Sequence, residues 1–156
     1  MLRRFMEEKL NKKQIGELIP HRDPFLFLDE LVNIKKLETA TAIKTFNDNE
    51  EFFKGHFPGH PIVPGVILIE MMAQAGAALI AYSIKEETED KIVYLMNIEN
   101  SKFRNPVFPN NKIYTDVKAL RSKEKVWKLQ GKAYDAKNKK ICEATWSAMI
   151  MDRNNV

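Results

Sequence analysis

The run "VPGVILIEMMAQAGAALIAYSI", residues 63–84, limits the folds open to this chain more than any other stretch does. About 20 mostly apolar residues are enough to span a bilayer, so the run has to be tested first as a membrane helix. It fails that test. Glu70 near its middle would cost about 2.5–3.5 kcal/mol at mid-bilayer, and Gln74 adds a polar burden one turn later. Pro64 and Gly65 open the run as a soluble helix opens, with proline in the first turn, where its missing N–H is no loss. The run therefore reads as a soluble helix apolar on every side, which must be covered all round.

Six segments can supply that cover. "FLFLDELVNIKK" (25–36), "TATAIKTF" (39–46) and "KIVYLMNIENSKF" (91–103) are rich in β-branched and aromatic residues, and residues 112–120 continue the pattern. In 125–134, Trp127, Leu129, Gly131 and Ala133 alternate with Lys128, Gln130, Lys132 and Tyr134, and in 141–150 Cys142, Ala144, Trp146, Ala148 and Ile150 alternate with Ile141, Glu143, Thr145, Ser147 and Met149. Both read as half-buried antiparallel strands. "NDNEEFF" reads as a loop, "KEETED" (85–90) as a solvent loop, and "VFPNNKI" and "DAKNKK" as turns. Asn11 and Gln14 form a capping box that opens a short peripheral helix, which Pro20 ends. The expected fold is α+β, a curved antiparallel sheet wrapped around one long central apolar helix, with a second copy of the chain covering what the sheet leaves bare. With 156 residues and 44% hydrophobic content, residues 1–156 are expected to form a single domain.

The formal net charge of +4 and a pI near 9.1 favour an acidic partner without choosing one. Nucleic acid is not expected, because the basic residues lack aromatic interleaving and a recognition motif. The single cysteine, Cys142, excludes an internal disulfide framework and any Cys-rich metal site. Charges interrupt "MLRRFMEEKL" before an apolar signal-peptide core can form, so a cytoplasmic location is expected, with no membrane partner.

Glu70 is the anomaly within the apolar helix. Either its face reaches solvent or a charged partner, or desolvation raises its pKa so that it serves as a general acid near neutral pH. His56 and His60 stand just upstream, and histidine titrates near working pH, although either alone reads equally as a turn residue bonded to backbone. Their segment, "GHFPGHPIVPG", is dense in proline and glycine, a composition that fixes an unusual backbone path and lets a ligand approach closely. Gly65 lies at the helix start, where unpaired N–H groups and the helix dipole can hold an oxyanion.

"GHFPGHPIVPGVILIEMMAQAG" closely resembles the signature of the FabZ-type β-hydroxyacyl-[acyl carrier protein] dehydratases, enzymes of type II fatty acid synthesis with a hot-dog fold. "LIPHRDPFLFLD" (18–29), "KFRNPVFPNNKI" (102–113) and "ICEATWSAMI" (141–150) resemble further segments of the same family, in order along nearly the whole chain. The resemblance implies His56 as catalytic base, Glu70 as catalytic acid, Gly65 N–H as donor to the thioester carbonyl, and a structural role for His60. It implies no cofactor and no metal. It also implies a site shared across a homodimer, with three dimers commonly forming a hexamer, and acyl carrier protein as partner. Asp23 replaces a usual aromatic residue, and Asn110-Asn111 replaces a usual Gly-Asp turn, which asparagine can sustain in the left-handed conformation.

Val66, Ile69, Met71 and Met72 are candidates to line an acyl tunnel and equally candidates for plain core. Lys102, Arg104, Arg121, Lys123 and Lys125 are candidates for docking an acidic carrier protein. Among other readings, Glu70 argues against the isomerase branch that has Asp at the acid position. A hot-dog thioesterase would not need this His and Glu in this motif. A non-catalytic thioester-binding regulator would not need both residues intact.

Overall fold

The computed structural model describes residues 8–84 and 90–155. Among these, the chain runs β1 (Leu10–Asn11), α1 (Lys12–Leu18), β2 (Glu30–Lys35), β3 (Thr39–Thr45), a 3₁₀ turn (Glu51–Lys54), α2 (Gly65–Ser83), β4 (Lys91–Phe103), β5 (Lys112–Lys123), β6 (Val126–Asp135) and β7 (Lys140–Asp152), closing in a second 3₁₀ turn (Arg153–Asn155). The strands form one antiparallel sheet in the order β1-β2-β3-β5-β6-β7-β4, and α2 packs against β3, β5, β6, β7 and β4. The sequence pattern explains this arrangement. Leu129 opposes Trp146, Gly131 opposes Ala144 and Ala133 opposes Cys142 across β6 and β7, so one alternating set from each strand faces the helix and is buried. The helix approaches closely: a Cβ on Gly131 would stand 2.9 Å from Met72 Sδ, and one on Gly76 2.9 Å from Leu129 Cδ2.

Local signals set several boundaries. The Asn11 capping box forms, with Gln14 N–H donating to the Asn11 side chain and Asn11 N–H to the Gln14 side chain. Asn110 adopts φ +67°, so the asparagine turn stands as expected. Asp135 Oδ1 accepts the N–H groups of Lys137 and Lys139, closing the turn between β6 and β7. Asp23, at the position of a usual aromatic, reaches Lys12 Nζ at 2.7 Å.

One expectation about the strands needs correction. The strand expected over 25–36 begins only at Glu30, because Phe27 N–H donates to the Gln74 side chain of α2 instead of to a neighbouring strand. The two-residue β1 is an addition that only tertiary pairing with β2 creates. The solvent loop expected at 85–90 lies outside the described residues except for Asp90.

The uncovered apolar surface is also not where the all-apolar helix suggested. From Leu68 to Ala81, α2 is buried by its own chain except at Glu70 and Ala73. Among the described residues the exposed apolar side chains gather most densely on β4, an edge strand paired with β7, where Tyr94, Leu95, Met96, Ile98 and Phe103 stand open, and Val66 in the first turn of α2 is exposed as well. Long apolar edge strands invite pairing with another chain.

Candidate active site

His56 follows the 3₁₀ turn, whose leading residue Glu50 is held by Lys44. That lysine is 4% exposed and lies between Glu50 Oε1 at 3.7 Å and Asp29 Oδ1 at 3.5 Å. Backbone bonds then fold the motif onto itself: His56 N–H to Phe52 O, Ile62 N–H to His56 O, and Phe57 and His60 bonded to each other in both directions. Gly59 takes φ +75° inside this turn, a conformation that favours glycine. Val63 N–H donates to Val107 O at 2.8 Å, tying the motif to the segment after β4. His56 Nδ1 lies 3.0 Å from the carbonyl oxygen of Ile62. A carbonyl only accepts, so Nδ1 carries the hydrogen and Nε2 is left with its lone pair.

The imidazole opens onto a cleft of about 390 Å³ lined by Ile62, Val63, Gly65, Leu68, Phe103 and the 104–107 segment. Gly65 begins α2 there, and among the described residues no side chain caps that N-terminus, so its first N–H groups are available to a negative oxygen. The approach requires glycine: a Cβ at this position would come within 2.8 Å of the Phe103 ring.

Glu70 lies in a second, smaller cavity of about 60 Å³, with His21, Ala73, Gln74, Ala77, Val93, Leu95 and Ala148. Its carboxyl Oε1 accepts from Gln74 Nε2 at 3.0 Å and lies 3.5 Å from His21 Nε2. Gln74 is 1% exposed and fully engaged, since it also accepts from Phe27 N–H at 2.8 Å and donates to Phe25 O at 2.9 Å. The burial expected of Glu70 is partial within one chain, with its side chain 24% exposed.

The structure thus brings His56 and Gly65 together and places Glu70 in a different cavity of the same chain. His60 stands exposed with its ring edge-on to Phe108. Of the tunnel candidates, Ile69, Met71 and Met72 are core residues, and Val66 is 73% exposed. Of the docking candidates, Arg104 lines the His56 cleft and bonds Glu143, with Lys102 next to it on the far side of Phe103. Arg121, Lys123 and Lys125 belong to the other end of the sheet: Lys102 is level with Glu143, while Lys123 faces Val126, which is level with Met149 and Tyr94. The sequence reading passed over His21 and took Gln74 only as a polar burden. The signal it had was the spacing of Glu70 and Gln74, four residues apart and hence on one helix face.

This architecture recurs in solved structures. The dehydratase heterocomplex ApeI:P from Xenorhabdus doucetiae superposes with a TM-score of 0.78 over 90% of this chain and 92% of that one, at 18% identity. A hypothetical thioesterase protein with coenzyme A from Streptococcus pneumoniae gives 0.58 over 77% of this chain and 84% of that one, at 7% identity. These likenesses establish the hot-dog fold. At the level of sequence, residues 19–145 match the family model of the FabA-like domain. The 3-hydroxyacyl-[acyl-carrier-protein] dehydratase FabZ of Gluconobacter oxydans is 46% identical over 138 residues, 88% of this chain and 81% of that protein. Its namesake from Nitratiruptor is 43% identical over 148 residues, 92% of this chain and 99% of the other. The chain belongs to the FabZ-type dehydratases, a family of hydro-lyases.

Proposed function

We propose that this enzyme removes water from a (3R)-hydroxyacyl group carried on acyl carrier protein, giving the trans-2-enoyl thioester in fatty acid biosynthesis. The observation that carries the reading is the shared cleft of His56 and the uncapped α2 N-terminus at Gly65. The thioester carbonyl acidifies the α-proton, and the bare Nε2 of His56 takes it. Negative charge then develops on the carbonyl oxygen, where Gly65 N–H stabilises it. Glu70, protonated, gives its proton to the departing 3-hydroxyl. This chemistry calls for no metal or cofactor.

The acid and base meet only if two chains share the site. Phe103 lines the His56 cleft and Val93 the Glu70 cavity, so the two cavities face different ends of β4, although Gly65 and Glu70 stand only about 7.5 Å apart along α2. If the exposed edge of β4 pairs antiparallel with its copy around a twofold axis near Asn97 and Ile98, Phe103 of one chain falls beside Val93 of the other. His56 then faces Glu70 of the partner subunit, and the exposed apolar side chains of β4 are covered. Such a dimer is the smallest active unit, and a hexamer would be three of them. The same pairing brings Lys102 and Arg104 of one chain toward the level of Lys123 and Lys125 of the other, a basic rim suited to an acidic carrier protein. A cytoplasmic location fits a carrier-borne substrate.

The test is incubation with a 3-hydroxyacyl thioester of acyl carrier protein and mass analysis of the product. Loss of one water is expected with the native enzyme, and at least about a hundredfold slower loss with His56→Ala. Release of free acid in place of enoyl thioester would instead make it a thioesterase.

A further inference from the structure

The chain treats the two carboxyl oxygens of Glu70 differently. Oε1 receives Gln74 Nε2–H, and His21 Nε2 stands 3.5 Å from the same atom. Among the described residues no donor reaches Oε2. His21 comes from the segment between α1 and β2, and its ring is 22% exposed. Its Nδ1 is buried and, among the described residues, has no hydrogen-bond partner. An orphaned N–H is the rarer kind of buried unpaired group, and an unfilled acceptor is better tolerated. Nδ1 is therefore the nitrogen without hydrogen, and the hydrogen sits on Nε2, facing Glu70. Burial also favours the neutral ring, holding His21 below its ordinary range against the opposing pull of Glu70, with Arg22 adding to the lowering. Glu70 and Arg22 are the charged groups near His21; the other walls, Val93 and Leu95 of β4, Ala148 of β7, and Ala73 and Ala77 of α2, carry no charge.

We infer that His21 is a positioning residue for the proton donor: as the Nε2–H tautomer it faces Oε1 of Glu70, which Gln74 already holds, and closes to hydrogen-bond distance in the working complex, so that the transferable proton resides on Oε2. This rests on the reading of Glu70 as the acid. A carbonyl-type Oε1 has two lone pairs for these two donors, which leaves the Oε2 hydroxyl for the substrate. In the elimination its proton passes to the 3-hydroxyl oxygen, which keeps the C–O electron pair and leaves as water. The two donors stay on Oε1 and stabilise the new carboxylate, the His21 contact shortening as charge develops.

Two variants and one spectrum test it. His21→Phe keeps a ring of similar size without the donor, and His21→Gln returns an N–H near the Nε2 position. For His21→Phe we expect kcat to fall about tenfold to a hundredfold, the scale of a misoriented catalytic group, with KM within about twofold. Its alkaline limb of kcat should move to higher pH, because a donor to the ionised carboxyl is lost, and His21→Gln should recover most of the rate. In the native enzyme labelled with ¹⁵N-histidine, His21 should be protonated at Nε2 and bare at Nδ1 at pH 7. Native kcat and an unmoved alkaline limb in folded His21→Phe, or a spectrum showing Nε2 bare, would overturn the inference. Glu70→Gln is assayed in parallel. If it is inactive while His21→Phe behaves as native, only the role of His21 falls; if it is active, the acid assignment falls and this inference with it.

Discussion

Gln74→Glu changes one atom and tests whether Glu70 is held as described. The Gln74 oxygen accepts from buried Phe27 N–H, and its nitrogen donates to Phe25 O and, at 3.0 Å, to Glu70 Oε1. In the variant the first bond survives, while a carboxyl oxygen replaces the donor and faces two acceptors. Two ionised carboxylates about 4 Å apart repel by about 4 kcal/mol at an effective dielectric near 20. The pair can avoid this by retaining one proton, so one of the two carboxyls titrates above its ordinary range. The folded variant then binds a proton that the unfolded chain, with ordinary glutamates near 4.3, has released by neutral pH. Stability is therefore lost as pH rises through the raised value. At about 2–4 °C per kcal/mol for a chain of this size, calorimetry should find the variant melting about 10 °C below native at pH 8 and within about 3 °C of it at pH 5. A deficit equal at both pH values, or none at pH 8, would refute the placement of the Gln74 nitrogen against Glu70.

Gly131→Ala should cost about 1–3 kcal/mol by overpacking, since its Cβ would meet Met72 Sδ at 2.9 Å and Trp146 Cζ3 at 3.0 Å and both side chains are buried; thermal melts check it, and an unchanged Tm contradicts the packing. Ile98→Lys puts a charge in the middle of the β4 edge, where Ile98 is 46% exposed. It should leave a folded monomer at micromolar concentration by light scattering, with dehydration lost, whereas an active dimer would exclude β4 as the interface.

The parts of the fold legible in the sequence were those set by short-range pattern. The alternation through Trp127 to Ala133 and Cys142 to Ile150 defined β6 and β7 because period-two burial needs no knowledge of the partner. The Pro-Gly opening of α2 and the Asn11 box set helix starts for the same reason. Phe25 to Leu28 misled because strand propensity cannot register that Phe27 N–H is taken by a glutamine 47 residues away. That His56 and Gly65 share a cleft was legible because only eight residues of a stiff motif separate them. His21 was not, since its link to Glu70 exists only once α1 and α2 have packed. The apolar surface was foreseen in kind and misplaced, because hydrophobicity along a helix does not reveal how much of it its own sheet will cover.

The central claim is that the acid and base of one site come from two chains, and complementation tests it most directly. His56→Ala and Glu70→Gln are each inactive alone by this account. Mixed, mildly denatured and refolded together, they should pair at random, making about half the dimers mixed, each with one intact site and one doubly defective site. Dehydration should return to about one quarter of the native rate. No recovery, with mass spectrometry showing that mixed dimers have formed, would mean that His56 and Glu70 act within a single chain and that the shared site is wrong.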